Sequence, residues 1–200
     1  MKKLFPVLAI AILSLGTPAV RADTAGVSFT SPGTAFNNGL GYSLGYSFTA
    51  TNSITIDAVG YFDEGSLQES HTVGIYDSAG NLLASAAITG GTLTGFFDYV
   101  SIAPLTLTAG DTYQIMGNSG LLDDYAFDPA GFSTAPGITF DNDEFTPGNT
   151  LAFGLNSEGV TGFFGPNFLE TAATPEPGTL ALFGTGLFGM VGMIRRKLRA

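Results

Sequence analysis

One short stretch has the spacing of a serine nucleophile. Residues 41–45 read G-Y-S-L-G and match G-x-S-x-G, which activates its serine only where a strand turns sharply into a helix beside a general base. A strand pattern follows Ser43 here, and the only histidine is His71. Spacing alone leaves open a triad of Ser43 and His71 with Asp57 or Asp63. We favour a glycine-rich turn that enters a strand, and we predict no catalytic residue.

His71 itself is interpreted as a structural residue. A typical zinc site needs several His or Cys ligands, and the chain contains one His and no Cys. A lone histidine at the start of a strand is typical of a hydrogen-bond partner. The same absence of Cys shows that no disulfide holds the fold.

Acidic residues offer a second kind of chemistry. Asp141, Asp143 and Glu144 lie in the run D-N-D-E, and a second acidic group lies at 123–128. We expect both in loops, and Ca²⁺ takes about six to eight oxygen ligands. The sequence therefore leaves two interpretations of Asp141, Asp143 and Glu144, a weak calcium site and a solvated acidic loop, and we favour the loop. EF-hand spacing is absent.

Aromatic side chains suggest sugar stacking as a third kind of chemistry. Exposed Tyr and Phe rings could form the platform of a carbohydrate-binding module, but sequence does not separate such rings from core rings. We interpret most of them as core. Eight phenylalanines lie among Gly, Pro and Asp in the second half of the chain: Phe127, Phe132, Phe140, Phe145, Phe153, Phe163, Phe164 and Phe168.

Short segments in which apolar and polar residues alternate must position these residues. Strands are predicted from alternating apolar and polar residues at 44–48, 53–57, 71–76, 105–108 and 112–115. The turn 77–80 reads D-S-A-G, which favours a type I turn, and it predicts a hairpin of 72–76 with 82–87. Residues 109–111 separate another two strands.

These strands predict one all-β domain at 23–173, a single antiparallel β-sandwich of jelly-roll-like type. No amphipathic helix is expected before residue 178. For residues 121–170 two interpretations stay open: the remaining strands with long loops, or an insertion that covers one sheet.

Residues 40–118 resemble a bacterial extracellular sandwich domain of unknown function. The shared pattern includes L-G-Y-S-F-T, I-D-A-V-G-Y-F, V-G-I-Y-D-S-A-G-N-L-L-A-S and P-L-T-L-T-A-G-D-T-Y. The resemblance implies a secreted or surface-anchored sandwich, and it brings no catalytic residues.

Charge is divided between the ends and the body of the chain. All seven Lys and Arg residues lie at 2–21 and 195–199, whereas all 17 Asp and Glu residues lie at 23–176. Such a body repels nucleic acid, because binding rests on Lys and Arg contacts with phosphate. His71 is the one residue there that could form a salt bridge.

The first 22 residues predict a secretory signal peptide. Lys2 and Lys3 precede the apolar run 4–15, and Val20 and Ala22 supply small residues before a cut after Ala22. Export through the Sec translocon and cleavage by signal peptidase follow from this pattern.

Residues 174–200 predict a membrane anchor in three parts. The motif Pro175-Glu176-Pro177 comes first, then the uncharged segment 178–194, then the basic tail 195–200 with Arg195, Arg196 and Lys197. As a helix the uncharged segment spans about 25 Å, the short end of what crosses a bilayer. The positive-inside rule places the tail in the cytoplasm and the sandwich outside.

This order resembles the PEP-CTERM sorting signal of Gram-negative, exopolysaccharide-producing bacteria. The resemblance implies recognition of Pro175, Glu176 and Pro177 by the membrane peptidase exosortase, with Arg195, Arg196 and Lys197 as its basic tail. The family often has Val where this chain has Thr174.

The sequence thus predicts a secreted, surface-sorted, non-enzymatic protein. We expect passage through the inner membrane, a single-pass anchor during sorting, and a structural or adhesive role at the cell surface or in the exopolysaccharide matrix. Two alternatives stay open: a carbohydrate-binding module, with or without Ca²⁺ as its cofactor, and more remotely an esterase-like hydrolase. Exosortase and exopolysaccharide are the expected partners, and nucleic acid is not.

Overall fold

Antiparallel strands joined by glycine-rich turns make up the body of the chain. The computed structural model describes residues 23–159 and 162–171. The strands in chain order are β1 (Thr24–Ala25), β2 (Val27–Ser28), β3 (Thr34–Phe36), β4 (Tyr42–Ala50), β5 (Ile54–Phe62), β6 (His71–Asp77), β7 (Leu82–Ile88), β8 (Thr92–Thr94), β9 (Phe97–Leu107), β10 (Thr112–Asn118), β11 (Tyr125–Phe127), β12 (Ser133–Thr134), β13 (Ile138–Pro147), β14 (Phe163–Phe164) and β15 (Pro166–Glu170).

Two five-stranded sheets form most of this body. Their strand orders are β1-β15-β5-β9-β8 and β13-β4-β10-β6-β7, and all their strand pairs are antiparallel. The chain passes directly from one of these sheets to the other after β4, β5, β7 and β9. The predicted all-β antiparallel fold is confirmed. The anchor helix predicted at 178–194 lies outside the described residues, and no helix within them is long and apolar enough to cross a bilayer.

Aromatic side chains join the two large sheets face to face. Phe48 of β4 and Phe168 of β15 belong to different sheets, and their ring centroids lie 5.0 Å apart. Tyr61 of β5 stacks on His71 of β6 across the same interface, with centroids 3.7 Å apart and an interplanar angle of 4°. Burying one such Phe side chain contributes about 1.5–3 kcal/mol, so this layer is a main source of stability.

The predicted hairpin of 72–76 with 82–87 is confirmed. Thr72 pairs with Ala87 in β6 and β7, and the amide of Gly80 donates to the Asp77 carbonyl at 3.0 Å. Gly80 has φ of +82°, which glycine adopts without strain. The Asp77 carboxylate accepts from the amides of Ala79 and Asn81 at 3.0 and 2.9 Å.

The turn at 109–111 has a different role from the turn at 77–80. It joins β9 to β10, and these strands belong to different sheets. The amide of Gly110 donates to the Ala50 carbonyl at 2.7 Å, and that of Ala50 donates to the Asp111 carbonyl at 3.0 Å. The turn therefore fastens a crossover to the end of β4 instead of closing a hairpin.

Both interpretations of residues 121–170 turn out to describe part of the segment. Its strands β11 to β15 join all four sheets, including two small ones of order β14-β11-β3 and β12-β2. Residues 149–155 also cover the outer face of β4 and β10, where the Gly154 amide donates to Gln114 Oε1 at 2.9 Å. This cover explains why both faces of most of β4 are buried.

Candidate functional site

Ser43 does not have the geometry of a nucleophile. It lies inside β4, and its fully buried hydroxyl donates to the Ala152 carbonyl at 2.7 Å and accepts from the Ala152 amide at 3.0 Å. Its neighbours are therefore the main chain of the covering segment and not an imidazole. The structure does not pair Ser43 with His71.

His71 forms a buried ion pair with Asp123. Its Nε2 lies 3.0 Å from Asp123 Oδ2, and its Nδ1 lies 2.9 Å from the Asn118 carbonyl oxygen. A carbonyl can only accept, so Nδ1 is a donor. The Asp123 carboxylate also accepts from the amides of Gln68 and Glu69 at 2.9 Å, so both the main chain and the imidazole hold it in place.

The predicted acidic loop at 141–144 is wrong in its secondary structure, because these residues lie in strand β13. Alternation within the strand places Asp143 and Glu144 on opposite faces, and Asp141 lies at a bulge between Phe140 and Asn142. Asp141 accepts from the Thr49 hydroxyl at 2.7 Å. Asp143 is fully buried and accepts from the Ser157 hydroxyl at 3.0 Å, while Glu144 lies beside Gln114 on the other face.

Nothing in this arrangement brings the three carboxylates to one point. Among residues 23–159 and 162–171, no group of three or more His, Asp or Glu side chains is placed to hold a metal ion. The calcium hypothesis for Asp141, Asp143 and Glu144 stays a prediction, and these contacts give it no support.

An aromatic cavity is the most site-like feature of the described residues. It has a volume of about 530 Å³, within the range of about 300–1,000 Å³ typical of small-molecule sites. Strand pairing places Phe36 opposite Tyr125 and Phe163 opposite Phe127 in the small sheet β14-β11-β3. Six rings line the cavity: Phe36, Tyr42, Tyr125, Phe127, Phe145 and Phe163.

Polar groups share the wall with these rings. Thr34, Asn38 and Glu158 line the cavity, and the Asn38 amide nitrogen donates to the Tyr42 hydroxyl at 3.3 Å. Burial, then the nearby Tyr42, Glu158 and Asp124, raise the pKa of Tyr125 to about 12. The cavity thus combines apolar ring faces, neutral hydrogen-bonding groups and one carboxylate.

Sequence reasoning missed this cavity, although it named half of its rings. Phe127, Phe145 and Phe163 line it, whereas Phe132, Phe140, Phe164 and Phe168 pack in or against the core. The available signal was the crowding of Phe near Gly between residues 121 and 170. That signal does not show which rings meet.

Elsewhere, burial raises the pKa of several carboxyl groups. It is the leading cause at Asp57, Asp98, Glu144 and Glu170. At Asp98 the neighbouring carboxyl of Asp63 raises the pKa further. The protonated form of each group is favoured in the folded protein relative to the unfolded chain.

Acidification from about pH 8 to about pH 5 should therefore raise the midpoint of thermal unfolding. A carboxyl with a raised folded pKa contributes stability that is fully present below its ordinary pKa, 3.8 for Asp and 4.5 for Glu, and that is lost as the pH rises through the raised value. Asp77 works oppositely: hydrogen bonds from Asn81 lower its pKa, and its contribution is lost as the pH falls below 3.8. Circular dichroism melts measure the midpoint, and a midpoint that climbs from pH 5 to pH 8 would contradict this expectation.

Comparison with known proteins matches two regions of the chain to family models. A model of the domain of unknown function DUF4082 matches residues 29–164, more than half of the chain. A model of the PEP-CTERM protein-sorting motif matches residues 173–197, which implies export, a C-terminal membrane anchor before processing, and exosortase as the processing partner. No curated protein matches the chain. Both predicted resemblances are confirmed, and the chain belongs to the DUF4082 family and carries a PEP-CTERM sorting motif after that domain.

Proposed function

We propose that this protein is a non-enzymatic component of the cell surface or of the extracellular polysaccharide matrix, with a structural or adhesive role. The sorting motif at 173–197 is the observation that carries the proposal. The charge of the body supports it, because residues 23–176 hold all 17 carboxylates and no Lys or Arg. Such a body suits a hydrated matrix and repels nucleic acid.

The route of export completes the proposal. The Sec translocon and signal peptidase act on residues 1–22, with the cut after Ala22. Residues 178–194 then hold the protein in the inner membrane with the basic tail in the cytoplasm and the β-sandwich at 23–173 outside. Exosortase recognises Pro175, Glu176 and Pro177 and releases the sandwich from this anchor.

Changing Pro175, Glu176 and Pro177 together to alanine should stop processing. The expected result in the producing bacterium is a precursor of unprocessed size that stays in the inner-membrane fraction, because the apolar segment is intact but its recognition motif is gone. Immunoblots of membrane, surface and medium fractions measure this.

Thr174→Val is the matched control, because the family often has Val at this position. We expect its fractionation to equal that of the unchanged protein. A triple-alanine variant that is released normally would overturn the sorting assignment.

Carbohydrate binding is a second candidate function, favoured by the aromatic cavity. Its six rings and neutral polar groups are the kinds of group that stack on and hydrogen-bond to a sugar. Direct titration with neutral oligosaccharides tests it, since a purely structural protein should bind none of them selectively. The contacts of Ser43 and His71 give the esterase-like alternative no support.

A further inference from the structure

Three pairs of the rings that line the aromatic cavity meet at nearly right angles. Tyr42 and Phe145 are inclined at 80°, Tyr125 and Phe163 at 86°, and Phe145 and Phe163 at 79°. Perpendicular neighbours form the corners of a box, so a group inside it can meet more than one ring. Ring faces attract cations and pack against the C–H groups of a sugar ring.

One wall of this box carries a negative charge. Glu158 lines the cavity. Its amide donates a hydrogen bond to the buried Asp143 carboxylate at 2.8 Å. Asp143 also accepts from the Ser157 hydroxyl at 3.0 Å. The main chain that carries the Glu158 carboxylate is therefore hydrogen-bonded to the buried Asp143.

The body of the chain, residues 23–194, has no Lys or Arg that could neutralise this carboxylate. Its His71 is bound to Asp123 at 3.0 Å. Within the body, a charge complementary to Glu158 can therefore be supplied by a cationic ligand.

We propose that the aromatic cavity binds an amino sugar within a polysaccharide chain. The pyranose ring packs on the aromatic walls, its ammonium group faces Glu158, and Thr34, Asn38 and the Tyr42 hydroxyl bind its neutral groups. Sugars that carry carboxylates are disfavoured by Glu158 and by the acidic body. This inference rests on the carbohydrate-binding function proposed above and specifies its ligand class.

The test is calorimetric titration of the full-length protein in detergent micelles at low salt. The probes are tetramers of β-1,4-linked glucosamine, N-acetylglucosamine and glucose, of which only the first is cationic. We expect the glucosamine tetramer to bind about tenfold more tightly than the other two, the size of one favourable cation contact with rings and a carboxylate. Added salt should weaken this tetramer most.

Two variants separate the charge from the rings. Glu158→Gln should abolish the preference for glucosamine and leave the neutral tetramers unchanged, whereas Phe36→Ala should weaken all three. Both residues are at least partly exposed, Phe36 at 42%, so the fold should persist, and circular dichroism checks this. Glu64→Gln removes an exposed carboxylate outside the cavity and should change nothing.

Each remaining outcome has a defined meaning. Equal affinity for the three tetramers would overturn the amino-sugar assignment and leave carbohydrate binding standing. A preference that survives Glu158→Gln would show general attraction to the acidic body and would also overturn it. Binding of none of the tetramers would remove the carbohydrate function itself.

Discussion

Replacing His71 by alanine should lower the free energy of unfolding by about 3–5 kcal/mol. His71 is fully buried and Asp123 is only 7% exposed, so the change leaves a buried carboxylate without its counter-ion. It also removes the ring that stacks on Tyr61 at 3.7 Å. Denaturant unfolding of the full-length protein at neutral pH measures the loss.

The two neighbouring carboxylates provide a matched control. Asp123→Asn should cost much of what His71→Ala costs, whereas Asp124→Asn should change stability by less than about 0.5 kcal/mol, because Asp124 is not part of the pair with His71. The double variant His71→Ala/Asp123→Asn should cost less than the sum of its parts, since both act on one interaction. A loss below about 1 kcal/mol for His71→Ala would mean that the pair is not structurally important.

This ion pair shows what a count of charged residues can and cannot predict about salt bridges. The sequence showed that any salt bridge in the body must use His71, and the structure contains that bridge. The choice of Asp123 was not predictable, because 52 residues separate the two side chains. The pairing of β6 with β10 in one sheet brings them together.

Local patterns predicted local structure well. The alternation of 44–48 and 71–76 and the turn residues at 77–80 fixed strands and one hairpin. The loop predicted from D-N-D-E at 141–144 is a strand instead. The prediction failed because polar residues are uncommon in strands and because the segment carries a bulge between Phe140 and Asn142. Pairing with β4 overrides these weak propensities.

The aromatic cavity was not predictable for a different reason. Its rings come from β3, β4, β11, β13 and β14, and they meet only when the small sheet β14-β11-β3 has formed beside the ends of β4 and β13. The residue type Phe is the same in a core and in a cavity wall. Neither periodicity nor spacing separates the two.

The G-x-S-x-G match has a packing explanation. A Cβ on the glycine at position 41 would collide with the side chain of Asn149, and one at position 45 would collide with the main-chain oxygen of Ile115. Ser43 between them bonds to Ala152. Close approach of neighbouring chain segments requires both glycines, and catalysis is not needed to account for them.

Gly45→Ala should consequently destabilise the protein by more than about 3 kcal/mol, at the upper end of overpacking effects. Gly45 lies in β4 between β10 and β13, opposite Met116 and Glu144. The added methyl group would meet the Ile115 carbonyl oxygen and the Pro166 ring. A main-chain atom cannot move aside by changing rotamer, so the strands must separate. The denaturant midpoint of the full-length protein measures the effect.

Gly117→Ala isolates this cause, because it adds the same methyl group in the adjacent strand β10. Its Cβ would meet only side-chain atoms, with Pro166 and Val73 at 3.3 Å. Those atoms can shift by a few tenths of an ångström, so we expect a loss of no more than about 1 kcal/mol, near the centre of the distribution for single substitutions. A change in backbone conformational entropy would affect both variants alike, whereas a collision with the Ile115 carbonyl oxygen affects only the Gly45 variant. Equal losses for the two variants would therefore contradict close packing as the reason for glycine at position 45.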